Sequence, residues 1–402
     1  MSPRVIDAPR DAIASAVLDD ARAGLEDALA LLSRLVETSS HADDEEGVRA
    51  CLTLLAEPLS SLGFDAQLVP GTRGGAPWRR HLVASRRARC ADAPTLLVLG
   101  HADTVFPRDH AFRALSVEDD RWIGPGVSDM KGGLVTALLF LRVAAARGVL
   151  DRARVRVVVV GDEEQGSPSG TELLRRMGVG VDAALSFEAA RPCGGLVSAR
   201  KGLGVARVRA EGRTGHAGIA HGSSPNALSA LARFVVEAEA LEARFEGLTV
   251  SPGGAVECSP TSVNLIPDHA ACDLEWRFEL ERERLAIAEA MLGIARDVEA
   301  ATGARVHVEL REDTPPMRAG DALVRTYLDA AARLGLSIDA VGTAGVGDIN
   351  LVASAGAACI DGVGPEGGGF HTAREHLRPS SIAVRAAMSV LAIDAWLDRN
   401  AP

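Results

Sequence analysis

The sequence predicts an α/β protein, a mixed, mostly parallel sheet flanked by helices and interrupted by a smaller two-layer βαββαβ insertion. Three observations carry that expectation. Apolar or β-branched runs stop abruptly at residues 95–99, 155–160, 183–187 and 357–360, as strands buried on both faces do. Segments of helical period lie between them. Between Lys201 and Glu312 the texture changes, and alternation of the first kind resumes only after Thr314. The chain therefore reads as a segment 1–200, an inserted unit 201–313 and a returning segment 314–402.

In order along the chain, apolar residues recur at helical spacing over 11–36 and 43–62, with Gly63 closing the second run; these read as two opening helices. The strand 95–99 breaks at Gly100 and presents His101 and Asp103, two residues apart and so on one side of an extended segment. Leu134, Leu138, Leu141 and Ala145 mark the buried face of a helix that begins just past Asp129. The strand 155–160 stops at Gly161 and delivers Asp162, Glu163 and Glu164; the third strand ends at Glu188, and the fourth leads through DGVGPEGGGF to His371. In the inserted unit the pattern gives a strand at 205–210, a helix carrying Leu228, Leu231, Val235, Ala238 and Leu241, strands across 248–257 and 262–278, a helix with Leu285, Ala288, Leu292 and Ala295, and a strand at 305–310. That order is βαββαβ.

Composition narrows the function classes. A net charge of −11 over 402 residues argues against nucleic acid or an anionic membrane as partner, because both call for a basic surface. A small molecule or short peptide suits it better. No stretch reaches membrane-spanning length without charges, and the first residues lack a signal-like apolar core, so a soluble cytoplasmic protein is expected. The cysteines (Cys51, Cys90, Cys193, Cys258, Cys272 and Cys359) show no CxxC spacing, which supports neither a disulfide framework nor a thiolate zinc site. Only Lys131 and Lys201 are lysines among 43 basic residues. Both sit inside motif-like stretches, DMKGG and ARKGLG, where an ammonium and a guanidinium are not interchangeable.

Alone, His101 also fits a half-buried histidine in a turn, Asp129 a helix-capping carboxylate, and the acids 162–164 a solvated loop. Repetition at one sheet edge favours a cation site, since acids crowded at the mouth of buried strands need positive charge to offset them. Histidine and carboxylate without cysteine suit zinc, and also cobalt or manganese. His101, Asp129 and Glu188 make one three-ligand set, and His371, Asp129 and Glu164 a second that shares Asp129. Two ions so placed would acidify a water and polarise a carbonyl. Glu163, pointing away from its neighbour, is left to take the water's proton, and Asp103 to orient His101.

The motifs GHADTVFP, GPGVSDMKGG, GDEEQGSPSG, LSFEAA, GRTGHAG, VNLIP and GPEGGGFHTAREH resemble, in order, those of the co-catalytic two-zinc amidohydrolases and exopeptidases: glutamate carboxypeptidases, aminoacylases, and acetylornithine and succinyl-diaminopimelate deacylases. The resemblance spans nearly the whole chain. It implies a zinc exopeptidase-like fold whose ferredoxin-like insertion is a lid and dimerisation domain, two zinc ions per chain, and a homodimer. It further implies that His216 of the HAG motif reaches the partner's site to stabilise an oxyanion. Asn264, Arg277, Gly345 and Gly347 match substrate-side positions, and the Asp129–Met130 peptide matches a cis bond of the family.

Three departures bear on the substrate. Thr314 stands where glutamate carboxypeptidases have an arginine that reads the substrate carboxylate, flanked by Arg311 and Arg318. Gly347 replaces the usual Ser or Thr before the acid in GVGDIN, and a bulky Phe370 precedes His371. The leading expectation is hydrolysis of an N-acyl amino acid or short peptide at the amide beside a free carboxylate. An N-acyl amino-acid deacylase is the alternative, and a non-catalytic metal or peptide binder on the same scaffold a third. Glu163 is dispensable for binding alone, which favours an enzyme.

Overall fold

The computed structural model describes residues 4–5, 11–73 and 76–400. Two compact units are present: Met1–Ala199 with Met317–Thr343 and Gly347–Pro402, and Arg200–Pro316 with Ala344–Val346.

The first unit is built on a six-stranded sheet in the order Ala358–Ile360, Ala183–Ser186, Thr95–His101, Arg154–Val160, Ala76–Arg86, Asp65–Arg73. The first four strands are parallel and the last two antiparallel, so the sheet is mixed and mostly parallel. Alternate side chains serve two cores. Leu96, Val98, Val155, Val157 and Val159 pack under the helices of the larger core, whereas Leu97, Leu99, Val158 and Val160 join Leu173, Leu174, Ile349 and Val352 on the opposite face. Burying each such side chain contributes about 1.5–3 kcal/mol, enough to fix the edge at which the parallel strands end.

The helix Gly132–Ala146 is buried nearly all round rather than along the single face expected from Leu134, Leu138, Leu141 and Ala145. It lies between the sheet and an outer layer that includes Pro379–Arg399, so its far side is covered too. At Gly133 a Cβ would fall 1.9 Å from the carbonyl oxygen of Phe187; glycine lets this helix start against the segment that carries Glu188. Pro379–Arg399 is long and apolar enough to cross a membrane, but 78% of its apolar window is buried, as befits a core helix.

One local expectation changes, and one feature is new. The span 11–36 forms two helices, Ala12–Ala23 and Leu25–Glu37, broken at Gly24, where a Cβ would meet Arg142 and Leu139 within 2.6 Å. The hairpin Asp65–Arg73 and Ala76–Arg86 has no counterpart in the sequence reading, because Pro70, Gly71 and interspersed arginines blur its alternation.

The second unit has strand order Thr249–Ser259, His269–Phe278, Gly202–Glu211, Arg305–Thr314, all antiparallel, with helices Ala227–Glu239 and Glu281–Thr302. Residues 262–268 are irregular rather than strand, Pro267 lacking a donor for the ladder. Leu228, Leu285 and Leu292 are exposed. The long helix carries two apolar stripes, and it is Ile287, Met291, Ile294 and Val298 that face the sheet.

Candidate active site

Parallel strands deliver their chemistry at the carboxyl edge. His101 ends Thr95–His101 and is 1% exposed. Its Nε2 lies 3.2 Å from Asp129 Oδ1 and 3.6 Å from Glu188 Oε1. Its Nδ1 lies 3.1 Å from the Asp103 carbonyl and 3.4 Å from Asp103 Oδ1. With Nδ1–H committed to Asp103, Nε2 is the nitrogen that faces the carboxylates.

Asp129 sits in the turn Val127–Lys131 ahead of the buried helix, and the Asp129–Met130 peptide is cis. Its second oxygen, Oδ2, is 3.2 Å from His371 Nε2, which is itself 3.2 Å from Glu164 Oε2. One carboxylate thus spans two imidazoles. His371 comes from the loop after Ala358–Ile360, at a φ of 59°. Glu163 and Glu164 open a 3₁₀ turn after Arg154–Val160, and their backbone N–H groups donate to the two oxygens of Asp103 at 3.1 and 2.9 Å. Asp103, fully buried, therefore holds His101 with one flank and the acidic turn with the other.

The donor set fits divalent ions. Ligands about 2.0–2.1 Å from a tetrahedral zinc lie roughly 3.3 Å apart, and the separations here are 3.2, 3.2, 3.2 and 3.6 Å. Candidate ligand atoms of His101, Asp129 and Glu164 all fall within 4.8 Å of one another.

Charge in the cluster is balanced by protons. Burial opposes a charge on His101, yet hydrogen bonds to Asp103 and Asp129 raise its pKa well above the histidine range. Hydrogen bonds to Asp129 and Glu164 raise His371 to about 10. Burial works to raise Asp129, but the same imidazoles hold its carboxyl below the usual range. Burial pushes Glu163 well up and Asp348 to about 7. Because the folded pKa of His371 exceeds its unfolded value near 6.5, its ion pairs stabilise the fold fully below about pH 6.5, and that contribution is lost as pH rises through about 10. An incoming cation must displace these protons.

Other sequence candidates lie elsewhere. In the second unit, His216 is exposed; its Nδ1 accepts from the Gly218 N–H at 3.2 Å, it forms an isolated bridge with Leu265, and the neighbouring Ala217 N–H donates to the Asn264 carbonyl. Arg277 donates to Glu275 and to the Ala344 carbonyl, both at 2.7 Å, and the Gly345 carbonyl accepts from Arg200. In the first unit, Gly347 N–H donates to Asn350.

Several site residues escape the sequence reading. Glu375, fully buried, accepts the N–H groups of Ser128 and Asp129 at 2.9 and 3.0 Å and so orients the bridging carboxylate; burial raises it to about 7. Its one signal is its place four residues after His371. Ser167 donates to Asp348 at 2.5 Å, tying down the far end of the acidic turn. Lys131, marked in the sequence by its place in DMKGG, is buried and donates to the carbonyls of Leu35 and Thr38 at 2.8 and 3.0 Å, closing the end of Leu25–Glu37.

Residues 97–395 match the model of peptidase family M20/M25/M40. Carboxypeptidase G2 of Pseudomonas sp. (strain RS-16) is 27% identical, the alignment covering 89% of this chain and 86% of that protein. Succinyl-diaminopimelate desuccinylase of Delftia acidovorans is 26% identical, over 87% and 92%. Among solved structures, a Staphylococcus aureus tripeptidase superposes with a TM-score of 0.76 at 20% identity, over 93% of this chain and 99% of that one. A dinuclear metal-binding M20 peptidase of Bacillus subtilis gives 0.69 at 16%, over 94% and 99%.

Proposed function

The chain belongs to peptidase family M20/M25/M40, and on that premise we propose that it is a homodimeric two-zinc hydrolase cleaving the amide of an N-acyl amino acid or short peptide beside a free carboxylate. The observation that carries the reading is Asp129, each of whose oxygens lies 3.2 Å from a different imidazole. His101 and Glu188 would hold one ion and His371 and Glu164 the other, with Asp129 between them; cobalt or manganese would serve the same ligands. Ions held there would polarise the scissile carbonyl and lower the pKa of water.

The remaining work falls to the chain. Glu163 accepts the proton that the attacking water loses and gives it to the leaving nitrogen, so that amide and water become carboxylate and amine. Burial suits it to that task by raising its proton affinity. Asp103 keeps His101 and the turn in register. At His216, the bond from Gly218 to Nδ1 leaves the proton on Nε2, which makes that nitrogen a donor for the developing oxyanion. We assign His216 this role in the partner's site, and the βαββαβ unit the roles of lid and dimer contact, with Asn264, Arg277, Gly345 and Gly347 beside the substrate. Free cysteines throughout suit a cytoplasmic location.

Relatives named carboxypeptidase G2 and desuccinylase mark the two substrate readings, and Thr314 and Gly347 keep the deacylase reading open. A panel of N-acyl-glutamates and N-acetyl or N-succinyl amino acids separates them by which side of the amide the pocket measures. Amide hydrolysis is expected on the panel, with a loss of at least roughly tenfold in kcat/KM when the substrate carboxylate is blocked as an ester. No hydrolysis of any member, or indifference to the block, would contradict the proposal.

A further inference from the structure

The acidic turn is gripped from behind by polar residues that the proposed chemistry does not use. His81, Asp162 and Ser169 are all buried, at 0, 0 and 3% exposure. Ser169 Oγ donates to Asp162 Oδ2 at 2.6 Å, and Ser169 N–H donates to the same oxygen at 2.8 Å. With its hydroxyl proton so placed, Ser169 Oγ accepts from His81 Nε2–H at 3.2 Å, and His81 Nδ1 accepts from Gly161 N–H, also at 3.2 Å. One arrangement of protons satisfies every link. Burial lowers the His81 pKa, in keeping with the neutral imidazole that this arrangement needs. Space is reserved for the contact, since a Cβ on Gly71 would lie 2.1 Å from His81 Nε2 and 2.6 Å from Ser169 Oγ.

We propose that His81 and Ser169 are positioning residues that fix the turn carrying Glu163 and Glu164, acting through Asp162. The link to the turn is the Asp162 backbone, whose carbonyl accepts from Gln165 N–H at 3.2 Å and Ser167 N–H at 2.9 Å. Gly161 is gripped on one side and Ser169 on the other, so the backbone between them has little freedom. Asp103 holds the front of the turn through the Glu163 and Glu164 amides, and the relay holds its back. A buried polar chain of this kind rigidifies what it connects through the links it makes; here the hold runs through Asp162 Oδ2, while Oδ1 has no hydrogen-bond partner. The consequence for turnover rests on the role proposed above for Glu163; the consequence for the turn's rigidity does not.

Hydrogen exchange on the full-length protein tests the rigidity directly. In Ser169→Ala, the Gln165 and Ser167 amides should exchange at least tenfold faster while Leu97–Leu99 in the sheet keep their rates, and Ser169→Thr should restore protection. His81→Gln, which keeps one polar contact, gives the same readout by a second route. On whichever panel substrate is cleaved, kcat should fall at least tenfold in Ser169→Ala with KM within twofold, and recover in Ser169→Thr. Unchanged exchange in the turn, or equal acceleration in turn and sheet, would overturn the proposal. The exchange result decides it even where the panel finds no activity, an outcome that would count against the proposed function alone.

Discussion

Glu163→Gln should lower turnover by at least roughly a hundredfold while the metal content per chain stays as in wild type. The amide matches the carboxylate in shape but cannot accept the water's proton, and no ligand atom is removed from the cluster. Glu164→Gln should behave differently, because its Oε2 faces His371 Nε2 at 3.2 Å and its loss weakens one ion site. Steady-state kinetics and elemental analysis on both variants check the division of labour. Equal metal loss in both, with no loss of activity beyond it, would show that the two acids do the same job.

Complementation between inactive subunits is the second large effect. His216→Ala and Glu163→Ala homodimers should each be nearly inactive, since an oxyanion donor and a proton shuttle are each worth several kcal/mol. In a mixed dimer, the site on the His216→Ala chain keeps its own Glu163 and receives His216 from the other subunit, while the second site lacks both. Random exchange makes about half the dimers mixed, with one competent site of two, so activity should return toward roughly a quarter of wild type. Were His216 to act within its own chain, every site in the mixture would lack one group. No recovery under conditions that demonstrably exchange subunits would rule the trans arrangement out.

The strands that end at His101, Val160 and Ser186 were legible because a buried parallel strand is a continuous apolar run, and a polar residue at its end stands out. His101, Glu163, Glu164 and Glu188 could be named for that reason, whereas Asp129 lies in a turn ahead of a helix and His371 eleven residues past Ile360, and both are marked by the motifs around them. Glu375 could not be named. It acts through the backbone amides of Ser128 and Asp129, 247 and 246 residues away in sequence, and an amide leaves no mark in the side-chain pattern. His81 is hidden likewise, since its partners are a glycine N–H and a serine hydroxyl. The helix Gly132–Ala146 shows a different limit. Its period can be read, but its coverage on every side depends on the helix Pro379–Arg399, more than 200 residues further along. The exposure of Leu285 and Leu292 follows the same logic, because two apolar stripes compete and packing against the sheet selects one.

The central claim, a two-ion hydrolytic centre bridged by Asp129, is tested most directly by calorimetric titration of zinc into chelated protein near pH 7, in buffers of different ionisation enthalpy. His101 and His371 both carry raised pKa values, the latter about 10. Binding should therefore take up about two ions per chain and release about one proton from each imidazole, with hydrolytic activity returning in step. Full activity of the chelated protein, or uptake of fewer than two ions per chain, would contradict it.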